Sequence, residues 1–191
     1  MTASAGSAAR RVCPTYVALL RGINIVGKHK VSMSDLKEVF EQNACLDVRT
    51  YIQSGNVIFG SATADVDRLA RRLASAVSKS HGFEPRVLVL TRDELENAAA
   101  RNPFPEARDN PQSLHLFFLA DTPHKPDLEA CEALRAKSER FELKGRTFYL
   151  HTPDGFGISK LAQRVETLLG VAATARNWRT VTTLLEMAKG V

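Results

Sequence analysis

The sequence has little of what would announce a metal centre, an export route or a covalent nucleophile. It has three cysteines, Cys13, Cys45 and Cys131, odd in number and far apart. Such a set suits unpaired thiols in a reducing compartment rather than a disulfide framework. No C-x-x-C, H-x-x-x-H or H-E-x-x-H occurs, and the five histidines (29, 81, 115, 124 and 151) show no ligand spacing. No structural metal and no cofactor are therefore expected. The longest useful apolar run, Tyr16 to Leu20, is far short of the ~18 residues of a membrane span. The first twelve residues are small and polar, and Arg10-Arg11 leads into too short an apolar run for an export signal. A disordered tail on a cytoplasmic, non-membrane protein is the expectation. No histidine stands beside a Ser or Cys in a triad motif, so catalysis is permitted but nothing indicates it. Aromatics make up only 7% of residues, with one tryptophan.

What remains is an ordinary globular composition: 191 residues, 44% hydrophobic and 25% charged, enough for one large domain or two small ones. The net charge of +5 is unevenly spread. Residues 1–30 hold five Lys/Arg and no acid, and residues 156–191 hold five against Glu166 and Glu186. The middle of the chain is net acidic. The basic excess thus coincides with the segments carrying the unusual polar motifs, which suits an anionic partner or a solvated basic surface equally.

Hydrophobic patterning gives the order of elements. Thr15 to Leu20 reads as a buried strand. Ser32-Met33-Ser34-Asp35 reads as a capping box, followed by Leu36, Val39 and Phe40 at helical spacing. Val48 to Gly60 holds two β-rich runs about Gln53-Ser54-Gly55-Asn56, a hairpin pattern. Val66, Leu69, Leu73 and Val77 form a helical stripe, and R-V-L-V-L after Pro85 is another strand. This order, βαββαβ, is the ferredoxin-like unit. The second half repeats it loosely. Thr91-Arg92-Asp93-Glu94 caps a helix ending near Asn102, and Pro103 and Pro105 open a linker. A strand (114–120), a helix (127–136), a hairpin about Lys144-Gly145-Arg146, and helices over 158–169 and 178–189 follow. The expected fold class is α+β: two ferredoxin-like halves, the second with a terminal helix in place of its last strand. The expected boundaries are a tail at 1–13, a first half at 14–102, a linker at 103–113 and a second half at 114–191.

Four polar constellations are candidates for chemistry. In L-L-R-G-I-N-I-V-G-K-H-K (19–30), glycines let backbone N–H groups approach an anion that Lys28 or Lys30 would neutralise, ahead of the helix starting at Ser32. The spacing is not that of a Walker loop, and a turn with solvated lysines explains the same residues. Gln53-Ser54-Gly55-Asn56 reads as turn chemistry, with Asn56 a candidate rim ligand. In D-G-F-G-I-S-K (154–160), Ser159 and Lys160 stand where a glycine turn enters a helix, as a donor site or a plain N-cap. In T-A-R-N-W-R-T (174–180), Asn177 suits an N-cap and Trp178 a packing anchor. Arg176 and Arg179 there suit a phosphate or carboxylate, or surface ion pairs.

Taken together, Y-V-A-L-L-R-G-I-N (16–24), T-Y-I-Q-S-G-N-V-I-F (50–59), N-P-F (102–104), G-F-G-I-S-K-L (155–161) and T-A-R-N-W-R-T-V (174–181) resemble a widespread bacterial family, domain of unknown function 1697. The resemblance runs from about 15 to 189. It implies an α+β fold of ferredoxin-like halves and supplies no reaction. One departure stands out. The family pattern usually has two adjacent glycines after R-G-I-N-V, and here Val26 replaces one of them. A β-branched residue is strained at φ > 0, which weakens a phosphate-cradling loop at this point.

The reading that unites these observations is a protein binding a small phosphorylated ligand in a cleft between its halves. Arg21, Asn24 and Lys28 would come from the first half and Ser159, Lys160, Arg176 and Arg179 from the second, with Asn56 at the rim. A single-stranded nucleic-acid-binding module is the alternative, and a protein-interaction module without catalysis is a third. Ferredoxin-like sheets bind RNA through exposed aromatics on central strands, and no R-G-F-x-F-like motif is present. Oligomeric state is not legible.

Overall fold

The run T-Y-V-A-L-L-R forms strand β1 (Thr15–Arg21), and its unbroken apolarity follows from burial on both faces. Tyr16, Ala18 and Leu20 enter one core, while Val17 and Leu19 enter another. The structure is a computed structural model and describes residues 13–25 and 28–190. The expected tail, apart from Cys13, and the Val26 departure lie outside the described residues.

Around β1 the chain adds α1 (Met33–Gln42), β2 (Leu46–Tyr51), β3 (Asn56–Gly60), α2 (Val66–His81) and β4 (Arg86–Thr91). The sheet is antiparallel with order β2-β3-β1-β4. Helix α3 (Arg92–Ala100) follows directly. The second half adds β5 (Leu114–Leu119), α4 (Leu128–Leu134), β6 (Arg140–Lys144), β7 (Thr147–His151), α5 (Val165–Leu169), β8 (Ala173–Asn177) and α6 (Trp178–Ala188). Its sheet order, β6-β7-β5-β8, repeats that of the first. The chain is therefore α+β, built of two ferredoxin-like halves.

Two expectations are corrected. The second half does have its last strand: β8 pairs antiparallel with β5 from His115↔Asn177 to Leu119↔Ala173, and α6 is added after it. A-T-A-R-N has little strand propensity of its own, so pairing with β5 makes the strand. The helix expected over 158–169 is confined to α5, preceded by a 3-10 turn at Phe156–Ile158. Ser159 is extended at ψ 117°, which breaks the helix that the apolar spacing suggested.

Caps explain where helices start. Ser32 Oγ accepts from Asp35 N at 3.0 Å, although the reciprocal carboxylate contact of a capping box is not formed. Thr91 and Glu94 form the complete box. The outer face of each sheet packs on its own helices, α1 and α2 for the first half and α4 and α5 for the second. The two inner faces share one core with α3 and α6, where Leu95, Leu116, Tyr149, Trp178 and Leu184 meet Val17, Leu19 and Ile58. Phe104 and Ala107, in the segment between the halves, are buried in that shared core. No helix among the described residues is long and apolar enough to cross a membrane.

Candidate functional site

The two basic segments meet through Arg176. Strand β8 carries it in register with Leu116, and its guanidinium crosses to the first half. Nε donates to Asn56 Oδ1 at 2.5 Å, and Nη2 donates to the carbonyls of Leu20 at 2.8 Å and Ser54 at 3.0 Å. Nη1 bonds the neighbouring Ala175 carbonyl at 2.8 Å. Burial pulls the Arg176 pKa down to about 10, so it remains charged at neutral pH. Among the described residues no carboxylate pairs with it; its hydrogen-bond acceptors are all carbonyl oxygens.

The loops beneath it are shaped to present those carbonyls. Gly55 sits at φ +75°, and a Cβ there would come within 2.7 Å of Ile23 Cδ1 and 2.8 Å of Leu20 Cβ. Only glycine satisfies both the angle and the approach. Asn56 is fully buried, and its Nδ2 donates to Tyr51 O at 3.0 Å and Ser54 Oγ at 2.9 Å. Asn24, at φ +50°, ties the R-G-I-N loop to the hairpin. Its Nδ2 donates to Val31 O and Gln53 O, and its Oδ1 accepts from Val31 N. Ile52 is half-exposed at φ +47°, an angle that strains a β-branched residue.

Arg21 has a different task. Its Nη1 donates to Ala173 O at 2.9 Å and pairs with Glu166, whose Oε1 accepts from Ala173 N at 2.8 Å. The ion pair thus offers the outer edge of β8 the donor and acceptor that another strand would supply. Arg86 joins Glu166 at 3.3 Å. Burial pushes the Glu166 carboxyl up, but hydrogen bonds from Arg21 and Ala173 and the charges of Arg21 and Arg86 outweigh it, so its pKa lies below the ordinary value. Arg21 stays 46% exposed along its side chain.

Arg21, Ile23, Asn24, Ser54 and Arg176 line a cavity of about 550 Å³ between the R-G-I-N loop, the hairpin and β8. A second recess of about 300 Å³ lies on the other side of Arg21 and Arg176 and reaches Glu166 and Phe156. Of the residues singled out in the sequence, Arg21, Asn24, Asn56 and Arg176 come together here. Ser159 is buried and accepts from Ala162 N at 3.0 Å, so its hydroxyl serves a turn. Lys28, Lys160 and Arg179 are exposed and line neither cavity. Glu166, Arg86 and Ile52 belong to the site or its walls and were not singled out. A carboxylate on a helix gives no local sign that it will cap a strand edge far away in sequence.

Two antiparallel βαββαβ sheets sharing a core of two helices define a double ferredoxin-like α+β protein. The model of the family described as protein of unknown function (DUF1697) matches residues 13–149, and the chain belongs to that family. The conserved bacterial protein SP0830 from Streptococcus pneumoniae has a similar structure, with a TM-score of 0.69 at 24% identity. The alignment covers 92% of this chain and 98% of that one, a likeness of fold. No curated protein matches the chain.

Proposed function

We propose that the chain binds a small anionic ligand, a phosphate ester, in the cavity beneath Arg176. The observation that carries this reading is the part-buried Arg176 charge, which among the described residues has carbonyl partners and no carboxylate. An anion beside it would meet a cation in a medium of low dielectric, where attraction exceeds that at an open surface. Three guanidiniums (Arg21, Arg86 and Arg176) stand against one carboxylate (Glu166) in this region, a surplus of positive charge. Arg176 sets the loops and the field, and Arg21 is the cation with an open face. Asn24 and Asn56 act through the backbone they hold. The cavity size suits a metabolite-sized ligand.

The nucleic-acid alternative draws no support from the sheets, whose inner faces are packed on α3 and α6 and whose outer faces are packed on the remaining helices. Calorimetric titration with a panel of small phosphate esters at low ionic strength tests the proposal. A saturable member is expected, with affinity weakened at least about tenfold in Arg21→Ala, the scale of one lost charge-assisted hydrogen bond. That variant is expected to stay folded with a melting temperature lowered by a few degrees, because the half-exposed pair contributes about 0–1 kcal/mol and the hydrogen bond to Ala173 about 1 kcal/mol more. Silence from every ester, or equal binding by Arg21→Ala, contradicts it.

A further inference from the structure

Away from the Arg176 cavity, the far end of the second sheet holds a recess of about 400 Å³ where β5 begins and β7 and β8 end. Asn110, Gln112, His115, Thr152, Phe156 and Asn177 line it. Asn110 and Gln112 are exposed, and their carboxamides face the recess edge with no hydrogen-bond partner among the described residues. Asn177 spends its Oδ1 on Thr180 N, 2.9 Å away, which leaves its amide N–H groups free. His115 Nδ1 is sealed from solvent with no partner, and a buried polar atom left unpaired calls for an explanation. The imidazole stacks on Phe156 with ring centroids 3.6 Å apart and planes 17° apart. Gly155, at φ +123°, makes the bend that brings Phe156 there.

The charges are as informative as the donors. Among the described residues no lysine or arginine lines the recess. Its one charged lining residue, Asp154, has Oδ2 occupied by Ser138 Oγ at 2.5 Å. Burial lowers the His115 pKa to about 4, so the ring is neutral throughout the physiological range. Three carboxamides, a neutral imidazole and an aromatic wall give a surface rich in both donors and acceptors, with no counter-charge for an anion. Such a lining matches a ligand that is itself neutral, ring-shaped and dense in hydroxyls.

We propose that this recess is a second ligand site, one that takes a neutral sugar ring, either as a free glycoside or as the ribose of a nucleoside. Hydroxyls would pair with the three carboxamides, while the C–H face of the ring would lie against the aromatic wall, close enough for the stacked His115 ring to report it. It shares no lining residue with the anion cavity, although Phe156 also walls the second recess beside Arg176.

Imidazole ¹⁵N–¹H correlation spectra of the full chain test this, with the His115 signals assigned by their loss in His115→Gln. Methyl glucoside, uridine and inorganic phosphate are the three probes. A saturable shift of the His115 signals with methyl glucoside or uridine is expected, and the one that acts identifies the source of the ring. Asn177→Asp keeps the capping oxygen but removes the amide donors. It is expected to weaken that binding about five- to tenfold, the scale of one hydrogen bond, without lowering the melting temperature. Three results overturn the proposal: no shift with either ring up to its solubility, equal binding by Asn177→Asp, or a shift with phosphate as large as with the sugars.

Discussion

Arg176 joins the two halves through a single side chain. Removing it leaves Asn56 Oδ1 and the carbonyls of Leu20 and Ser54 without their donor. An abandoned buried acceptor costs about 1–3 kcal/mol, and Asn56 Oδ1 and the Leu20 carbonyl are the two withdrawn from solvent, so Arg176→Met is expected to lose at least about 2 kcal/mol in urea unfolding. Arg176→Lys should recover only part of that, because an ammonium lacks the planar fork that reaches both loops. His115 gives a second test at this scale. Its pKa falls from 6.5 in the unfolded chain to about 4 in the folded one through burial. The folded ring refuses a proton that the unfolded chain takes up. Stability from this group is therefore complete above pH 6.5 and declines as the pH falls toward 4, by up to about 3 kcal/mol. His151, lowered by burial and by Arg140, acts in the same direction. The comparison that isolates His115 is the slope of the urea midpoint against pH in wild type and in His115→Gln, which should be the shallower. Equal slopes would contradict the assignment. The arginine motif could be seen in the sequence, whereas its partners could not. Arg176 is recognisable as an unusual cation, but Leu20 and Ser54 lie more than a hundred residues away, and which carbonyls receive it depends on the packed fold.

At the scale of elements, legibility followed locality. The Thr91–Glu94 capping box, the stripe of α2 and the hairpin about Gln53-Ser54-Gly55-Asn56 are all written within a few residues, and each formed. Strand β8 is written across the sheet. A-T-A-R-N becomes a strand because β5 pairs one edge and the Arg21–Glu166 pair satisfies Ala173 on the other. The last helix was legible for the opposite reason. Asn177 caps it, and Trp178, 8% exposed, is the aromatic that fixes α6 between the sheets. Trp178→Ala is expected to cost about 3–5 kcal/mol by opening a cavity in the shared core. The adjacent exposed Arg179→Ala should stay within about 0.5 kcal/mol of wild type. Urea midpoints of the two variants check the pair, and a Trp178→Ala protein as stable as wild type would remove α6 from its anchoring role.

At the scale of the whole molecule, two sheets with the same strand order face each other across α3 and α6. A ferredoxin-like sheet usually leaves one face uncovered; here the uncovered faces became the common core. Splitting the chain would expose Val17, Leu19, Ile58, Leu116 and Tyr149 to water at about 1.5–3 kcal/mol for each large side chain. The halves are therefore expected to unfold together, with tryptophan fluorescence and far-ultraviolet circular dichroism giving coincident urea transitions. Separate transitions would contradict the shared core. The same arrangement creates the cleft: β1 ends at Leu20 and Arg21 against β8, where Arg176 enters. The proposed anion would lie in the cavity this junction forms. The most direct test of this placement is anomalous diffraction from crystals grown with selenate. Selenium density between Arg21 and Arg176, inside the cavity of about 550 Å³, is expected. Density confined to exposed cations such as Lys160 and Arg179, with the cavity holding only water, would contradict it.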